Sequence, residues 1–272
     1  MTVREQSSSS SATGIRTQEL AGVRVISFDR PARRNGMDLA MFRAYYDALA
    51  DADRDPSTRA VVITGEGGSF CSGATGDLLD ELAGSPSARE SLLAGLGHPP
   101  HLPLTLRKPL IAAVNGSAAG LGLVHALYAD VRFLAEGARL STVFSRFGLV
   151  AEYGAAWLLP RLVGLPAALD LLLSARPVDA AEALRLGLAR EVLPRADVLP
   201  AAVAYAQGLA ETCSPFSLAV IRRQVWTALS LAPEHAVAEA VTLMGESFVR
   251  EDLAEALRAV RERRPPVFLP LP

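Results

Sequence analysis

The chain has 272 residues, of which 50% are hydrophobic and 21% charged, and its formal net charge is −2. This composition predicts a globular protein with a substantial core, and it excludes a strongly basic surface for a nucleic acid or an anionic membrane. No apolar run has membrane-spanning length, and no secretory signal is recognisable. Cys71 and Cys213 are far apart and lack metal-ligand spacing. We therefore expect a reduced, cytoplasmic protein without a metal site.

The sequence of the first part of the chain predicts a disordered tail, then a β-hairpin, then a helix. Residues 1–14 include a serine run and are expected to form a disordered tail. Ile15 to Leu20 and Val23 to Phe28, separated by Ala21-Gly22, predict the two strands of a hairpin. Asp38 can then cap a helix whose apolar positions recur at intervals of three and four residues.

The next stretch alternates short strands with helices and glycine-rich turns. Ala60 to Thr64 is an apolar strand of the type buried on both faces, and Asp77 to Ala83 predicts a helix. Prolines and glycines interrupt any periodicity from Gly84 to Pro103, so we expect a mobile loop or a broken helix there. Leu110 to Val114 is again a short apolar strand. This alternation predicts an α/β fold with repeated β-β-α units.

A glycine-rich junction follows the last of these strands. Asn115-Gly116 is followed by small residues with Gly120 and Gly122, and then by an apolar helix from Leu123 to Tyr128. Such a junction leaves unpaired backbone N–H groups at the start of a helix, where they can bind negative charge. Further along, Glu152 lies between an apolar run and another glycine. Amide donors and one carboxylate in apolar surroundings are what proton abstraction next to a carbonyl requires.

From Pro166 onward the pattern is helical. The predicted helices cover Ala167 to Ser174, Ala180 to Leu186, Pro200 to Glu211, a segment opening at Ser214-Pro215, Val237 to Phe248 and Leu253 to Val260. No linker with a shift in composition separates them from the preceding residues. We therefore expect one domain, in which residues 15–200 form the core and residues 201–272 form a C-terminal helical region.

Four ordered motifs carry a resemblance to a known family. The segment VNGSAAGLG, residues 114–122, resembles the glycine-rich signature of the crotonase superfamily, the enoyl-CoA hydratase/isomerase family. Asp29-Arg30-Pro31 with Asn35, Gly68 to Ala74, and Arg263 to Phe268 fit the same family in the same order. The resemblance covers residues 17–268. It implies a crotonase-type α/β spiral of repeated β-β-α units with a C-terminal helical trimerisation region, and a homotrimer or a dimer of trimers.

The resemblance also implies an oxyanion hole. In the family, two backbone N–H groups bind the thioester oxygen and stabilise its enolate. By motif position these are the amides of Ser72 and Leu121, with Ala74 and Gly120 as substrate-binding neighbours. Fixed donors of this kind stabilise charge that develops on oxygen in the transition state. Leu121 replaces a usual glycine, but the donor is the backbone, so the hole can be retained.

The chain departs from the family at the two glutamates that hold and activate water in the hydratases. Val124 and Phe144 stand at the matching positions, and neither can accept a proton. Glu152 matches a third position, where several Δ3,Δ2-enoyl-CoA isomerases and a dienoyl-CoA isomerase carry their proton-moving carboxylate. Its apolar neighbours predict a raised carboxyl pKa. One such carboxylate suffices for an isomerase, which moves a proton from one carbon to another.

Three further residues are candidates for the substrate pocket: His125, Tyr153 and Trp157. Core packing is the alternative for each of them. His125 follows the inward position of Val124 on the same helix, and a step of one residue rotates a side chain by about 100°. That rotation favours a core histidine over a replacement acid.

The resemblance implies that coenzyme A enters as part of an acyl-CoA substrate, and no separate cofactor is expected. Arg33 and Arg34 are suitable charges for its phosphates. Arg264 and Phe268 match the C-terminal residues that help to hold coenzyme A in the family.

The leading hypothesis is an acyl-CoA enzyme that shifts a double bond through a stabilised enolate, with Glu152 as both base and acid. A second hypothesis is hydration by Glu152, alone or with an unidentified partner. The fold also supports hydrolysis of β-diketones, for which His125 is the candidate histidine. A non-catalytic relative that kept only the fold is a further alternative, because both hydratase glutamates are missing.

Overall fold

The computed structural model describes residues 13–94 and 97–271. Most of the expected disordered tail, residues 1–12, and residues 95–96 of the expected loop lie outside the described residues. The strands are β1 (Ile15–Leu20), β2 (Val23–Phe28), β3 (Ala60–Gly65), β4 (Ser69–Cys71), β5 (Leu110–Val114), β6 (Ser117–Ala119), β7 (Val131–Ala135), β8 (Arg139–Ser141), β9 (Val178–Asp179) and β10 (Glu191–Leu193).

Helices connect and cover these strands. They are α1 (Leu39–Arg54), α2 (Gly76–Gly84), α3 (Pro86–Ala94), α4 (Leu102–Thr105), α5 (Leu121–Leu127), α6 (Ala155–Val163), α7 (Leu165–Ser174), α8 (Ala180–Arg185), α9 (Arg195–Thr212), α10 (Pro215–Ala228), α11 (Pro233–Phe248) and α12 (Glu251–Glu262). Two short 3-10 helices span Pro31–Arg33 and Phe144–Phe147. None of the helices in residues 13–94 and 97–271 has the length and apolar character to cross a membrane.

The strands form two sheets. A six-stranded sheet has the order β1-β2-β3-β5-β7-β10, and a four-stranded sheet has the order β4-β6-β8-β9. The β1–β2 hairpin is antiparallel, and the pairs from β2 to β10 are parallel. Successive units place one strand in the large sheet and the next in the small sheet. This alternation is the repeated β-β-α arrangement that the sequence predicts.

Helix α1 begins as its cap predicts. The Asp38 carboxylate accepts a hydrogen bond from the Met41 amide at 2.8 Å, which satisfies one of the unpaired donors of the first turn. Phe42, Tyr46 and Leu49 then lie on the buried face of the helix, together with Tyr45. These side chains belong to the main core, which also contains the residues of α5.

Helix α9 covers the other face of the large sheet. It buries Val198, Ala202 and Ala206 against residues such as Val62 and Ile111. The expected boundary at residue 200 therefore falls inside a helix that packs on the core sheet. The helix also starts at Arg195, five residues before the expected start at Pro200.

The segment from residue 84 to residue 103 is a broken helix rather than a single loop. Its first part is α3, and α4 begins at Leu102. Between them, the described residues are tied to α1: the His98 Nε2 atom lies 2.9 Å from the Asp47 carboxylate, and the Tyr46 hydroxyl donates to the Pro100 carbonyl at 2.9 Å. Two side chains of one helix therefore fix the end of this segment.

A buried arginine attaches the C-terminal helices. Arg222 of α10 is paired with Asp130 at 2.8 Å, and its Nη1 donates to the carbonyls of Leu104 and Leu106. Charge-assisted bonds of this type hold α10 against the end of the spiral. Helix α11, in contrast, contains no buried residue.

Candidate active site

Two buried asparagines hold the glycine-rich segments in place. The Asn35 side-chain amide donates to the carbonyls of Ser69 and Phe70 at 2.8 and 3.1 Å. The Asn115 amide donates to the carbonyls of Gly65 and Gly67 at 2.7 and 3.0 Å. These bonds satisfy loop carbonyls that would otherwise be buried without a partner. The residues that carry the family resemblance therefore serve first to shape the backbone.

The Ser72 amide does not fit its predicted role. Its N–H donates to the Arg34 carbonyl at 3.1 Å. A backbone N–H is a single donor, so this one is already used and cannot also hold an oxyanion in this conformation. The prediction that Ser72 supplies the first amide of the oxyanion hole is therefore wrong in this structure.

The amide of Ala74, two residues further, is available. Residue 74 forms an isolated parallel bridge with Met37. The Met37 N–H donates to the carbonyl of Gly73, and the Thr75 N–H donates to the carbonyl of Met37. In this pairing the N–H of residue 74 points away from Met37. The hydrogen bonds of the described residues include no acceptor for it. The neighbouring Gly73 has a φ of 86°, a conformation that favours glycine.

The second amide is that of Leu121, the first residue of α5. The N–H groups at the start of a helix have no partner within it. Gly120 precedes it with φ 50° and ψ −127°, and the positive φ is one that glycine adopts without strain. Leu121 itself is not among the described residues with positive φ, which explains why leucine is tolerated there. A Cβ at Gly73 would lie 3.2 Å from the Leu121 nitrogen, so the two segments are in contact.

Gly122 allows this contact by the absence of a side chain. A Cβ on it would lie 2.2 Å from the Cys71 carbonyl oxygen, which cannot move without displacing β4. We expect Gly122→Ala to lower the free energy of unfolding by about 2 kcal/mol, the usual range for overpacking. Denaturant unfolding measures this change. Gly137→Ala is the control, because nothing lies within 4 Å of a Cβ there, and an equal loss in both variants would contradict the prediction.

The two positions of the hydratase glutamates are apolar and buried. Val124 is 1% exposed and Phe144 is 3% exposed. The Phe144 ring approaches to 4.0 Å of the position that a Cβ of Gly120 would occupy, next to the Leu121 amide. The surroundings of this amide therefore contain a hydrocarbon ring at the position where the resemblance implies a carboxylate in hydratases.

Glu152 lies in the loop between the second 3-10 helix and α6. It is half-buried, and the described structure gives its carboxylate no side-chain hydrogen bond or ion pair. Burial raises the pKa of this carboxyl, because the charged form loses water without gaining a partner. Burial, together with the Glu152 charge, also raises the pKa of the neighbouring Tyr153 to about 12.

Tyr153 and Trp157 face different parts of the molecule. The Tyr153 ring packs on Phe42 of α1, with centroids 5.6 Å apart. Trp157 instead lies 5.8 Å from Trp226 of α10 and carries the Arg161 guanidinium over its ring at 4.0 Å. This packing places Trp157 in the contact between α6 and α10 and favours the alternative of core packing over a role at the acyl end of the pocket.

His125 is a core residue. It is fully buried among four aromatic rings, those of Phe28, Phe42, Tyr45 and Tyr46. Neither ring nitrogen has a hydrogen-bond partner in the described structure. Burial lowers the pKa of His125 to about 3, so the ring is neutral near pH 7. A substrate-binding or acid role for His125 is therefore wrong, and β-diketone hydrolysis loses its candidate histidine.

The expected coenzyme A residues divide into two groups. Arg33 is exposed and bonded to the exposed Asp77 at 3.1 Å, and Arg34 is also exposed, so both arginines are accessible. Arg264 is instead bound to Glu255 and Glu262, each at 2.6 Å. These ion pairs hold the segment after α12 against that helix, and a contact of Arg264 with coenzyme A stays a prediction.

Phe268 belongs to the same terminal segment. Its carbonyl accepts a hydrogen bond from Arg59 at 2.7 Å, which attaches the end of the chain next to β3. Its half-buried ring remains a candidate contact for coenzyme A. In the described residues, no group of three or more His, Cys, Asp or Glu side chains could hold a metal ion.

Comparison with known proteins identifies the family. The family model for enoyl-CoA hydratase/isomerase matches residues 18–269, which is most of the chain. The chain belongs to the enoyl-CoA hydratase/isomerase family. A "probable enoyl-CoA hydratase" of Rhodobacter capsulatus is 35% identical over 261 residues, covering 93% of this chain and 97% of the relative.

Solved structures of the family confirm the fold. A "probable enoyl-CoA hydratase/isomerase" from Mycobacterium abscessus superposes with a TM-score of 0.86 at 33% identity, covering 94% of this chain and 99% of the other. An enoyl-CoA hydratase from Polaromonas sp. JS666 gives a TM-score of 0.86 at 28% identity, with 93% and 99% coverage. The two-sheet spiral with its C-terminal helices is therefore the crotonase fold of a family that acts on acyl-CoA substrates.

Proposed function

We propose that the chain is an enoyl-CoA isomerase that moves a carbon–carbon double bond next to the thioester. The amides of Ala74 and Leu121 bind the thioester oxygen. The Glu152 carboxylate removes a proton from C2 of a 3-enoyl-CoA, and the electron pair moves onto the thioester oxygen as a dienolate. Protonated Glu152 then returns the proton to C4 and leaves a 2-enoyl-CoA. Atoms and charge balance, and the only coenzyme needed is coenzyme A within the substrate.

One observation carries the proposal: the desolvated carboxyl of Glu152 is combined with buried hydrocarbon at residues 124 and 144. Hydration needs a group that orients and deprotonates water, and Val124 and Phe144 offer none. Proton transfer between two carbons of one substrate needs a single carboxyl group whose pKa is raised toward the working pH. The raised pKa of Glu152 fits that requirement.

The test separates isomerisation from hydration. Incubation of 3-hexenoyl-CoA in deuterated water is expected to give 2-hexenoyl-CoA with deuterium at C2 and C4 on repeated turnover. The conjugated product absorbs in the ultraviolet, so its appearance can be followed directly. If neither deuterium exchange nor conversion to 2-hexenoyl-CoA is observed, the proposal is contradicted.

Hydration is the second candidate, because the Rhodobacter and Polaromonas relatives are named hydratases. A hydratase would lower the absorbance of 2-hexenoyl-CoA by adding water across its double bond. We expect this loss to be much slower than isomerisation of the 3-enoyl isomer. The reverse order of rates would favour hydration over isomerisation as the activity of this chain.

Helix α11 supports the trimer, or dimer of trimers, that we propose for the intact enzyme. Val237, Val241, Met244 and Phe248 recur at intervals of four, three and four residues, which places them on one helix face, and all are exposed in the single chain. A continuous apolar stripe of this kind indicates a protein contact.

We expect Val241→Glu to shift the mass in solution toward the monomer, because a charge at the centre of the stripe would have to be desolvated. Light scattering after size-exclusion chromatography measures the mass of the protein in solution. Glu246→Lys, at an exposed glutamate of the same helix, is the control, and an unchanged mass in the Val241 variant would contradict this use of α11.

A further inference from the structure

One tyrosine connects the far end of α5 to the loop that carries Glu152. Tyr128 caps α5 and is 2% exposed. Its hydroxyl donates a hydrogen bond to the Tyr153 carbonyl at 2.6 Å. Burial raises the pKa of Tyr128 to about 12, so the hydroxyl remains a neutral donor near pH 7. The acceptor belongs to the residue that follows Glu152.

The loop at this point has an unusual backbone. Tyr153 has a φ of 47° and Gly154 a φ of 80°, so two consecutive residues are in the left-handed region. A side chain other than glycine is strained there and keeps the conformation only when its surroundings impose it. The Tyr128 hydroxyl supplies such a constraint on Tyr153. It also occupies the space beside Gly154, where a Cβ would lie 3.0 Å from the hydroxyl oxygen.

The turn also fixes the backbone of Glu152 itself. The Glu152 carbonyl accepts a hydrogen bond from the Ala155 amide at 2.9 Å, and α6 starts from there. The backbone of Glu152 is therefore tied to the turn that the two left-handed residues form. Helix α5, whose C-cap residue Tyr128 holds this turn, begins with Leu121, whose N–H has no partner within the helix.

We propose that Tyr128 is a positioning residue for Glu152. Its hydroxyl holds the left-handed turn at Tyr153 and Gly154, and this keeps the Glu152 carboxylate in a fixed position relative to the Leu121 amide. This inference rests on the proposed function, because it assumes that Glu152 moves the proton. Through Tyr128, one short helix sets the place of both the oxyanion donor and the base. Small displacements of a reacting group reduce the rate strongly, so the effect is expected in the chemical step.

The test uses Tyr128→Phe in the full chain, with isomerisation of 3-hexenoyl-CoA as the assay. We expect kcat to fall at least about tenfold with KM within about twofold, because the ring is kept and only the hydrogen bond is lost. The released loop would let water reach the carboxylate, so the acid limb of the kcat profile should move to lower pH. A purely structural role would leave that limb in place.

Tyr46→Phe is the matched control. It removes another buried tyrosine hydroxyl that donates to a backbone carbonyl, that of Pro100, and it should keep kcat and the acid limb of the wild type. Equal losses of kcat in both variants would overturn the inference. Gly154→Ala disturbs the same turn without changing Tyr128. It should also lower kcat at nearly constant KM, so the inference can be tested even if Tyr128→Phe folds poorly.

Glu152→Gln, measured in parallel, separates the two claims. If it is inactive while Tyr128→Phe and Gly154→Ala keep the wild-type kcat and pH profile, the inference fails and the proposed function stands. If it retains full activity, the proposed function fails and the inference fails with it. If it is inactive and both turn variants lose kcat at constant KM, the inference is supported. The double variant Tyr128→Phe/Gly154→Ala should then lose less than the two single effects combined, because both act on one turn.

Discussion

Glu152→Gln is expected to abolish isomerisation of a 3-enoyl-CoA while leaving its binding nearly intact. The amide has almost the shape of the carboxyl group but cannot take up the C2 proton at neutral pH. General acid–base catalysis by one side chain typically contributes about 10²–10⁴-fold, and here the same group both removes and returns the proton. We therefore expect kcat to decrease by a factor near the upper end of that range, about 10⁴-fold. Steady-state kinetics and deuterium exchange at C2 both measure the loss.

Glu136→Gln is the control for this experiment, because Glu136 is an exposed glutamate in the turn after β7. It should retain wild-type kcat and KM. Wild-type turnover by Glu152→Gln would leave the mechanism without a proton carrier. A large rise in KM at constant kcat would instead assign Glu152 to substrate binding.

His125→Leu is expected to make the protein more resistant to acid. Burial lowers the pKa of the His125 ring to about 3, below the ordinary histidine value of 6.5. Between these values the unfolded chain binds a proton that the folded chain does not, so the free energy of unfolding falls as the pH is lowered through this window. At pH 4.5 the histidine costs about 3 kcal/mol, two pKa units at about 1.4 kcal/mol each.

Denaturant unfolding at pH 7.5 and pH 4.5 measures this effect. The difference between the two pH values should shrink by about 3 kcal/mol in His125→Leu relative to the wild type. His235→Leu, which changes an exposed histidine of α11, should leave the difference unchanged. If His125→Leu leaves the pH dependence unchanged as well, the imidazole is accessible to protons and is not enclosed by its aromatic neighbours.

Much of the spiral could be predicted from local patterns. The hairpin, α1 with its Asp38 cap, the apolar strands and the glycine-rich start of α5 all depend on residues close together in the sequence. The position of His125 in the core also followed from a local argument, the rotation between neighbouring helical residues. Short strands such as β8 and β9 were not predicted, because two or three residues carry too little periodicity.

The errors at the site have a common physical cause, since each depends on residues far away in the sequence. The Ser72 amide is used by the carbonyl of Arg34, and the Ala74 amide is left available by pairing of its neighbours with Met37. Trp157 is turned toward α10 by packing on Trp226. Motif spacing identifies the segment that carries a donor, but tertiary hydrogen bonding decides which N–H within it is available.

The role of Tyr128 had no signal in the sequence. A tyrosine at the end of an apolar helix is most simply read as core, and its acceptor is 25 residues away. The positive φ of Tyr153 is equally invisible, because nothing in its type predicts a left-handed conformation. Only the glycine at position 154 hints at a turn there.

The late position of α9 in the chain bears on how the protein is made. Until Arg195–Thr212 has left the ribosome, the face of the large sheet with Val62, Ile111 and Phe133 lacks the helix that covers it in the described structure. Parallel strands with an uncovered apolar face are prone to pair with other chains during synthesis. Nascent chains and fragments that stop before this helix should therefore depend on chaperones, whereas the released full-length chain can bury the face itself.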